Sequence, residues 1–325
     1  MRRGVPSLTA AFLLAVTLVT GCRAEPEPPL RIGTTFWPSS ELLFLAQEYG
    51  WLSASAFRLV EFVDDGEVMR AFRNHAVAAA WLSVDELLSV AQSGAVDAVI
   101  LFVSDESRGG DAVVGQPDLI TPTDLKDRRV AAQINTVSAY LLDRVLKQAG
   151  LGASDVRLVN LPPNRHLAAF RRREVDAVVT YEPVRSQLID AGGVELFSSV
   201  STPFQILRVF VIRRDYLESH PFHAETLCTA WQRAINEVAT SEKARSWIAN
   251  RLSTTTAGLE QMLGRIRMIS LGESREWVDA PRPHLLATLA RLQGELLAAG
   301  LLTAPTPFEP LLRWPSRLGS SACRR

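Results

Sequence analysis

Ala71-Phe72-Arg73, trailed by Val77 and Ala79, returns as Ala169-Phe170-Arg171, trailed by Val175 and Ala177, at a constant offset of 98 residues. An internal repeat of this kind sets the architecture before any single motif is weighed. Working outward, the first copy reads as a strand over 31–36, a loop through Phe36-Trp37-Pro38-Ser39-Ser40 and a helix over 41–49 closed by Gly50. The second reads as a strand over 129–133, a loop at Ile134-Asn135-Thr136 and a helix over 137–149 closed by Gly150. Hydroxyl or amide residues open each helix and glycine follows its end, the expected start and stop signals. Strands over 57–62 and 156–161 come next, then the matched segment, then apolar strands over 77–82 and 176–180 that run into helices at Ser83 and Pro183. Strands alternating with helices of these lengths predict parallel βαβ units. The expected fold class is α/β, with two lobes, each a mainly parallel sheet flanked by helices.

In such sheets a ligand sits beyond the carboxyl ends of the strands. Those ends carry Trp37, Ser39, Ser83 and Asp85 in one copy and Asn135, Thr136, Ser138, Tyr181 and Glu182 in the other. These nine are the candidate ligand-binding residues, facing one another across an interlobe cleft. Between the copies an apolar run over 96–103 leads through the Gly-containing segment 104–110 to a strand over 111–115, which should cross from the first lobe to the second. The apolar strand over 206–212 should cross back. Lobe I is then 31–115 and 206–302, and lobe II is 116–205. Residues 303–325 hold four prolines and read as a loosely ordered tail.

Thirty-five Lys and Arg balance 35 Asp and Glu, so no overall field draws the chain to nucleic acid. Hydrophobic residues at 47% and charged residues at 22% fit a globular chain with a substantial core. At the N-terminus Met1-Arg2-Arg3 precedes an apolar run over 8–19, too short to span a bilayer core of about 30 Å. The run ends at Leu18-Val19-Thr20-Gly21-Cys22, in the pattern of a lipobox. Residues 1–21 are thus expected to be a removed signal peptide and Cys22 the lipidation site. Residues 22–30 would tether the domain to the periplasmic face of a bacterial membrane or to the cell surface. Only Cys228 and Cys323 remain, which by themselves specify no disulfide framework, and no CxxC offers a zinc or redox site.

Ile32-Gly33, Trp37-Pro38, Ala46-Gln47-Glu48-Tyr49-Gly50-Trp51-Leu52, Gly110-Asp111-Ala112-Val113-Val114, Asp124-Leu125-Lys126 and Asp176-Ala177-Val178-Val179-Thr180-Tyr181-Glu182-Pro183 follow one another across residues 30–302. In that order and spacing the chain resembles the nitrate/sulfonate/taurine type of ABC-transporter substrate-binding protein, related to proteins that bind pyrimidine precursors of thiamine. The resemblance implies a type II periplasmic-binding-protein fold with two crossing hinge strands, and a small solute delivered to an ABC permease in the membrane. The chain is expected to act as a monomer, without cofactor or metal. It departs from the family pattern at Ile134-Asn135, where a small pair such as Gly-Ser is usual. That departure bears on the identity of the solute.

Several candidates also have plainer roles. Ser83-Val84-Asp85-Glu86 fits a capping box, and Asp85 in the first turn complements the helix dipole. Glu182 before Pro183 is either a helix cap or a ligand group. Thr136 and Ser138 sit where a helix start caps itself or receives an anion. Trp37 reads as facing the cleft, because apolar alternation has ended there, with core packing as the rival. Asp105 and Glu106 in the crossing loop either line the cleft or form a solvated turn, the commoner fate of such residues. An anionic solute would use the helix starts with Arg108 or Arg208. An amine or nitrogen heterocycle would use Asp85 and Glu182, sandwiched by Trp37 and Tyr181. No GxSxG, Walker, GxGxxG or HExxH pattern occurs. His220-Pro221-Phe222-His223 near Cys228 has no acidic ligand set and reads as a loop before a helix. The chain is therefore expected not to be an enzyme. Two other readings stand beside solute delivery: a lipoprotein that presents its solute to a membrane signalling protein, and a pyrimidine-synthase-type enzyme. Against the latter counts the lack of clustered cysteines and histidines.

Overall fold

Short apolar runs bounded by glycine or capping residues fold as the repeat predicts. In this computed structural model, residues 27–202, 206–278, 283–314 and 323 are described. The signal-peptide and Cys22 expectations lie outside them. The first copy forms β1 (Leu30–Thr34), α1 (Glu41–Glu48), β2 (Phe57–Glu61), α2 (Asp65–Arg73), β3 (Ala79–Ser83) and α3 (Val84–Ala91). After β4 (Ala98–Ser107) and β5 (Asp111–Gly115), the second forms β6 (Arg129–Ala132), α4 (Val137–Gln148), β7 (Arg157–Asn160), α5 (Pro163–Arg171), β8 (Ala177–Tyr181) and α6 (Val184–Asp190). The matched motifs end α2 and α5, where Phe72 and Phe170 are buried. Both helices are followed by a left-handed residue at the same offset, His75 and Arg173. A similar local sequence has produced a similar local turn.

The chain continues through β9 (Val194–Ser198), β10 (Leu207–Arg213), α7 (Arg214–Ser219), α8 (Pro221–Thr240), α9 (Glu242–Arg251), α10 (Thr256–Leu263), β11 (Ile266–Met268), α11 (Leu271–Val278), α12 (Pro283–Ala298) and α13 (Glu309–Leu312). One sheet runs β11-β4-β10-β3-β1-β2 and the other β9-β5-β8-β6-β7. β1 lies parallel to β2 and β3, and β6 parallel to β7 and β8. Each sheet accepts one antiparallel strand from the far side of a crossing: β10 beside β3, and β5 beside β8. β5 had been counted with lobe I; it pairs with β8 and β9 and so belongs to the second sheet. The chain changes sheet between Ser107 and Asp111, and again between Ser198 and Leu207.

The two crossings are tied together. The Ser107 and Ser199 hydroxyls lie 2.8 Å apart, and the Gly109 N–H donates to Ser199 Oγ at 2.6 Å. Gly109 has φ +102°, and a Cβ on Gly110 would come within 2.9 Å of the Trp37 ring. Both glycines are therefore demanded by geometry, one by its dihedral and one by close approach.

Apolar faces close the layers. On the outer face of the first sheet Phe102 stacks on Phe210 at 5.1 Å and on Trp231 at 5.2 Å, with Trp81 edge-on to Phe210. A second apolar cluster is continuous between the lobes and includes Val68, Leu87, Val113, Val130, Leu141 and Leu289. The tail is corrected in part: Leu311 is buried, the Trp314 indole donates to the Ile100 carbonyl, and the Arg214 guanidinium holds the Pro310 and Arg313 carbonyls. Cys228 on α8 is joined to Cys323 by a disulfide with Cα atoms 5.4 Å apart. Two cysteines 95 residues apart gave no spacing from which to read that bond.

Candidate functional site

Register brings the first polar row together. Antiparallel pairing sets Arg208 of β10 opposite Ser83 of β3 on one side and opposite Asp105 of β4 on the other. Directly opposed residues share a face of a sheet. In the second sheet Asp111 of β5 stands opposite Tyr181 of β8 in the same way. The two rows meet where the lobes touch.

Arg208 is the cation of this junction and is only 4% exposed. Its Nη2 donates to Asp65 Oδ1 at 2.9 Å, and Thr35 Oγ1 donates to the same oxygen at 2.8 Å. Its guanidinium lies 5.0 Å above the Trp37 ring. Asp105, fully buried, accepts from the Trp37 indole at 3.1 Å and from the Ser39 and Ser104 hydroxyls at 2.7 and 2.8 Å. Glu86 accepts from the Ser83 backbone N–H at 2.9 Å, the reciprocal half of a capping box.

The electrostatics follow from taking many acids out of water around one base. Burial pushes Asp85 up to about 6, opposed by the Ser83 hydroxyl and its own backbone N–H and reinforced by Asp65. Burial pushes Asp111 up to about 7 against the Ser107 hydroxyl and Arg208. Glu86 and Asp105 are raised for the same first cause. Burial also opposes the charge on Arg208, yet Asp65, Glu86 and Asp105 outweigh it and hold the guanidinium protonated. Burial and the Asp65 charge raise the Tyr181 phenol, which stays a neutral donor.

The structure places the nine sequence candidates unevenly. Trp37 was expected to face an open cleft; it is 2% exposed, because Asp105 takes its N–H and Arg208 covers its face. Trp37 and Tyr181 do not form a sandwich. Their rings meet edge to face, 5.9 Å apart at 74°, as a contact between lobes. Ser39 and Ser83 serve the Asp105 and Glu86 anchors. Asp85, Asn135 and Thr136 come together on a small cavity of about 20 Å³ beside Leu296 and Leu301. Asn135 takes a left-handed φ of 61° and also lines a larger interlobe groove of about 430 Å³. Asp64, Gly66 and Arg70 from one lobe and Gln133 and Asn160 from the other complete that groove. Ser138 is buried, with its N–H 3.4 Å from the Thr136 hydroxyl that caps α4. Glu182 is taken up as a cap: it accepts from the Ser186 N–H and hydroxyl and pairs with Arg185 and, across the lobes, Arg265.

Asp105 and Glu106 form no solvated turn: both are buried residues of β4, which runs on to Ser107, and Asp105 stands at the junction against Trp37 and Ser39. Asp65 and Asp111 escaped notice as site residues. An acid after a strand or at a crossing looks like ordinary turn chemistry until register shows what it faces.

The comparisons with known proteins agree with this architecture. A sequence profile of the NMT1-like family matches residues 23–253. The taurine-binding periplasmic protein of Escherichia coli (strain K12) is 29% identical over 138 residues, 41% of this chain and 42% of that protein. The chain thus aligns with less than half of that relative's length. The protein of the same strain named for aliphatic sulfonate binding is 27% identical over 226 residues, 67% of this chain and 69% of that one. The solved alkanesulfonate-binding protein of Xanthomonas axonopodis pv. citri, bound to MOPS, shares the fold with a TM-score of 0.74. It is 19% identical and covers 89% of this chain and 99% of its own.

Proposed function

The chain belongs to the NMT1-like family, and from that membership we propose that it is an exported substrate-binding protein that closes its two lobes on a small solute and delivers it to an ABC importer. One observation carries the reading: buried polar groups from both sheets converge on Arg208 where the lobes meet. Periplasmic relatives with binding-protein names support it. The work is a closure equilibrium, in which solute binds the closed form better and shifts the population toward it. No bond of the solute is broken. Trp37, Ser39, Ser83, Asp85 and Tyr181 build the closed junction, Asn135, Thr136 and Ser138 shape its α4 side, and Glu182 with Arg265 latches one lobe to the other.

A cognate solute at about a hundred times its Kd is expected to stabilise the protein by roughly 2.7 kcal/mol. Small-angle scattering should show a smaller radius of gyration with solute than without. A solute that saturates the protein yet leaves both melting and radius unchanged would contradict lobe closure.

Anchoring has its own test. Acylation of Cys22 would hold the protein at the periplasmic face of a membrane. Cys22→Ser is expected to move it from the membrane pellet to the soluble or unprocessed fraction. Wild-type protein found wholly in the soluble periplasm would count against the anchor.

A further inference from the structure

The solute class can be read from which buried atoms lack partners. Five carboxylates, Asp65, Asp85, Glu86, Asp105 and Asp111, are at most 6% exposed around one guanidinium. Asp105 is saturated by three donors. Asp65 Oδ2, Glu86 Oε1 and Asp111 Oδ2 are buried without a hydrogen-bond partner, as is Gln133 Oε1 on the lobe II side. Beside them, among the described residues, Arg208 Nη1 is a donor without a partner, while the Ser83 hydroxyl serves Asp85 and the Tyr181 hydroxyl serves Asp65. Once these acids ionise, acceptors exceed donors and negative charge exceeds positive. A buried acceptor left alone costs about 1 to 3 kcal/mol, so a buried cluster with several of them suits a group that brings N–H donors.

A bare sulfonate brings three more acceptors and a negative charge. It would find one guanidinium already paired with Asp65, surrounded by carboxylates. A protonated amine or amidine brings several N–H donors and the missing positive charge, in charge-assisted bonds stronger than neutral ones. Resting on the solute-binding reading above, we propose that this acidic cluster at the lobe junction takes a solute carrying a protonated, N–H-rich nitrogen group, held by Asp65, Glu86 and Asp111, and excludes a bare sulfonate. Asp65 comes from the start of α2, Glu86 from α3 and Asp111 from β5, so the nitrogen group would bridge the two sheets. The groups facing Asp111 are Arg208, Asp65, Asp105, the Ser107 hydroxyl and, directly across from it on β8, Tyr181, and its proton must leave for the cation to bind.

The test is calorimetric titration of the mature full-length chain with benzamidine, putrescine and methanesulfonate at about pH 8 and about pH 5.5, where both bases remain protonated. At least one base is expected to bind, at least tenfold more tightly at the higher pH, with protons released. Methanesulfonate should give no heat. Asp111→Asn and Glu86→Gln should each weaken the base about tenfold or more. Without ligand, Asp111→Asn should raise Tm at pH 8, because it removes a buried acid that has too few partners. A lower Tm would mark Asp111 as structural and overturn its place in the site. Binding of methanesulfonate, unchanged in Asp111→Asn, would overturn the solute class and leave the solute-binding reading standing. Silence from all three probes, together with no compaction, would overturn both.

Discussion

Arg208→Met is expected to destabilise the protein by about 3 to 5 kcal/mol near neutral pH, the usual result of removing one partner from a buried ion pair. For a chain of this size that is a fall in Tm of roughly 5 to 10 °C. The side chain is buried, pairs with Asp65 at 2.9 Å and covers Trp37. Methionine keeps much of the volume and none of the charge, so packing loss is small and the carboxylates lose their common counter-ion. The effect should depend on pH with a definite sign. Asp111 is raised to about 7 and Asp85 to about 6, above the usual range near 4 for a carboxylate in an unfolded chain. Such groups hold their protons more tightly in the folded state, so their contribution is complete at low pH and is lost as pH rises through about 6 to 7. Without Arg208 the loss deepens, because the same acids must ionise with less compensation. Urea unfolding of wild type and variant should therefore show a larger gap at pH 8 than at pH 5. An equal gap at the two pH values would mean that Arg208 acts by packing alone.

The second large effect belongs to the Cys228–Cys323 disulfide. It closes a loop of 95 residues, for which the chain-entropy account gives about 4 to 5 kcal/mol and experience with native disulfides about 2 to 5. Cys228 is fully buried on α8, against the aromatic stack of the first sheet, and Cys323 is 4% exposed beside it. The bond fastens the end of the chain to lobe I, where α13 and Trp314 already pack on β4. The double variant Cys228→Ala/Cys323→Ala should melt well below the oxidised wild type and be indifferent to reductant. Reduced wild type should approach it. Wild type whose melting ignores reductant, with both thiols open to labelling, would show that the bond does not form. The same experiment reports on compartment, since such a bond persists where the surroundings are oxidising.

Much of the fold was legible because it is set by nearest neighbours along the chain. The pairs Phe72 and Phe170, and Gly50 and Gly150, mark equivalent turns, and apolar strands of four to five residues recur with helices between them. The candidate site was legible only as a place, the carboxyl ends of the strands. Trp37 and Tyr181 belong there, but their mutual geometry reversed from sandwich to edge contact once Arg208 and Asp105 were seen to claim the indole. Glu182 looked like a ligand group as much as a cap until Ser186, Arg185 and Arg265 occupied it.

What the sequence determined by itself is the two-copy α/β architecture, because hydrophobic period, helix caps and left-handed turn residues act over a few positions and survive in any folded context. What the tertiary structure alone decided is which acids share Arg208. Asp65 and Arg208 are 143 residues apart, and Trp37 and Asp105 are 68. Those meetings depend on strand order, on β5 and β10 each crossing to the other sheet, and on a register in which a slip of one residue would turn every side chain to the opposite face. Charge and burial act through space, so no local pattern could say that these acids would be stripped of water together around one guanidinium.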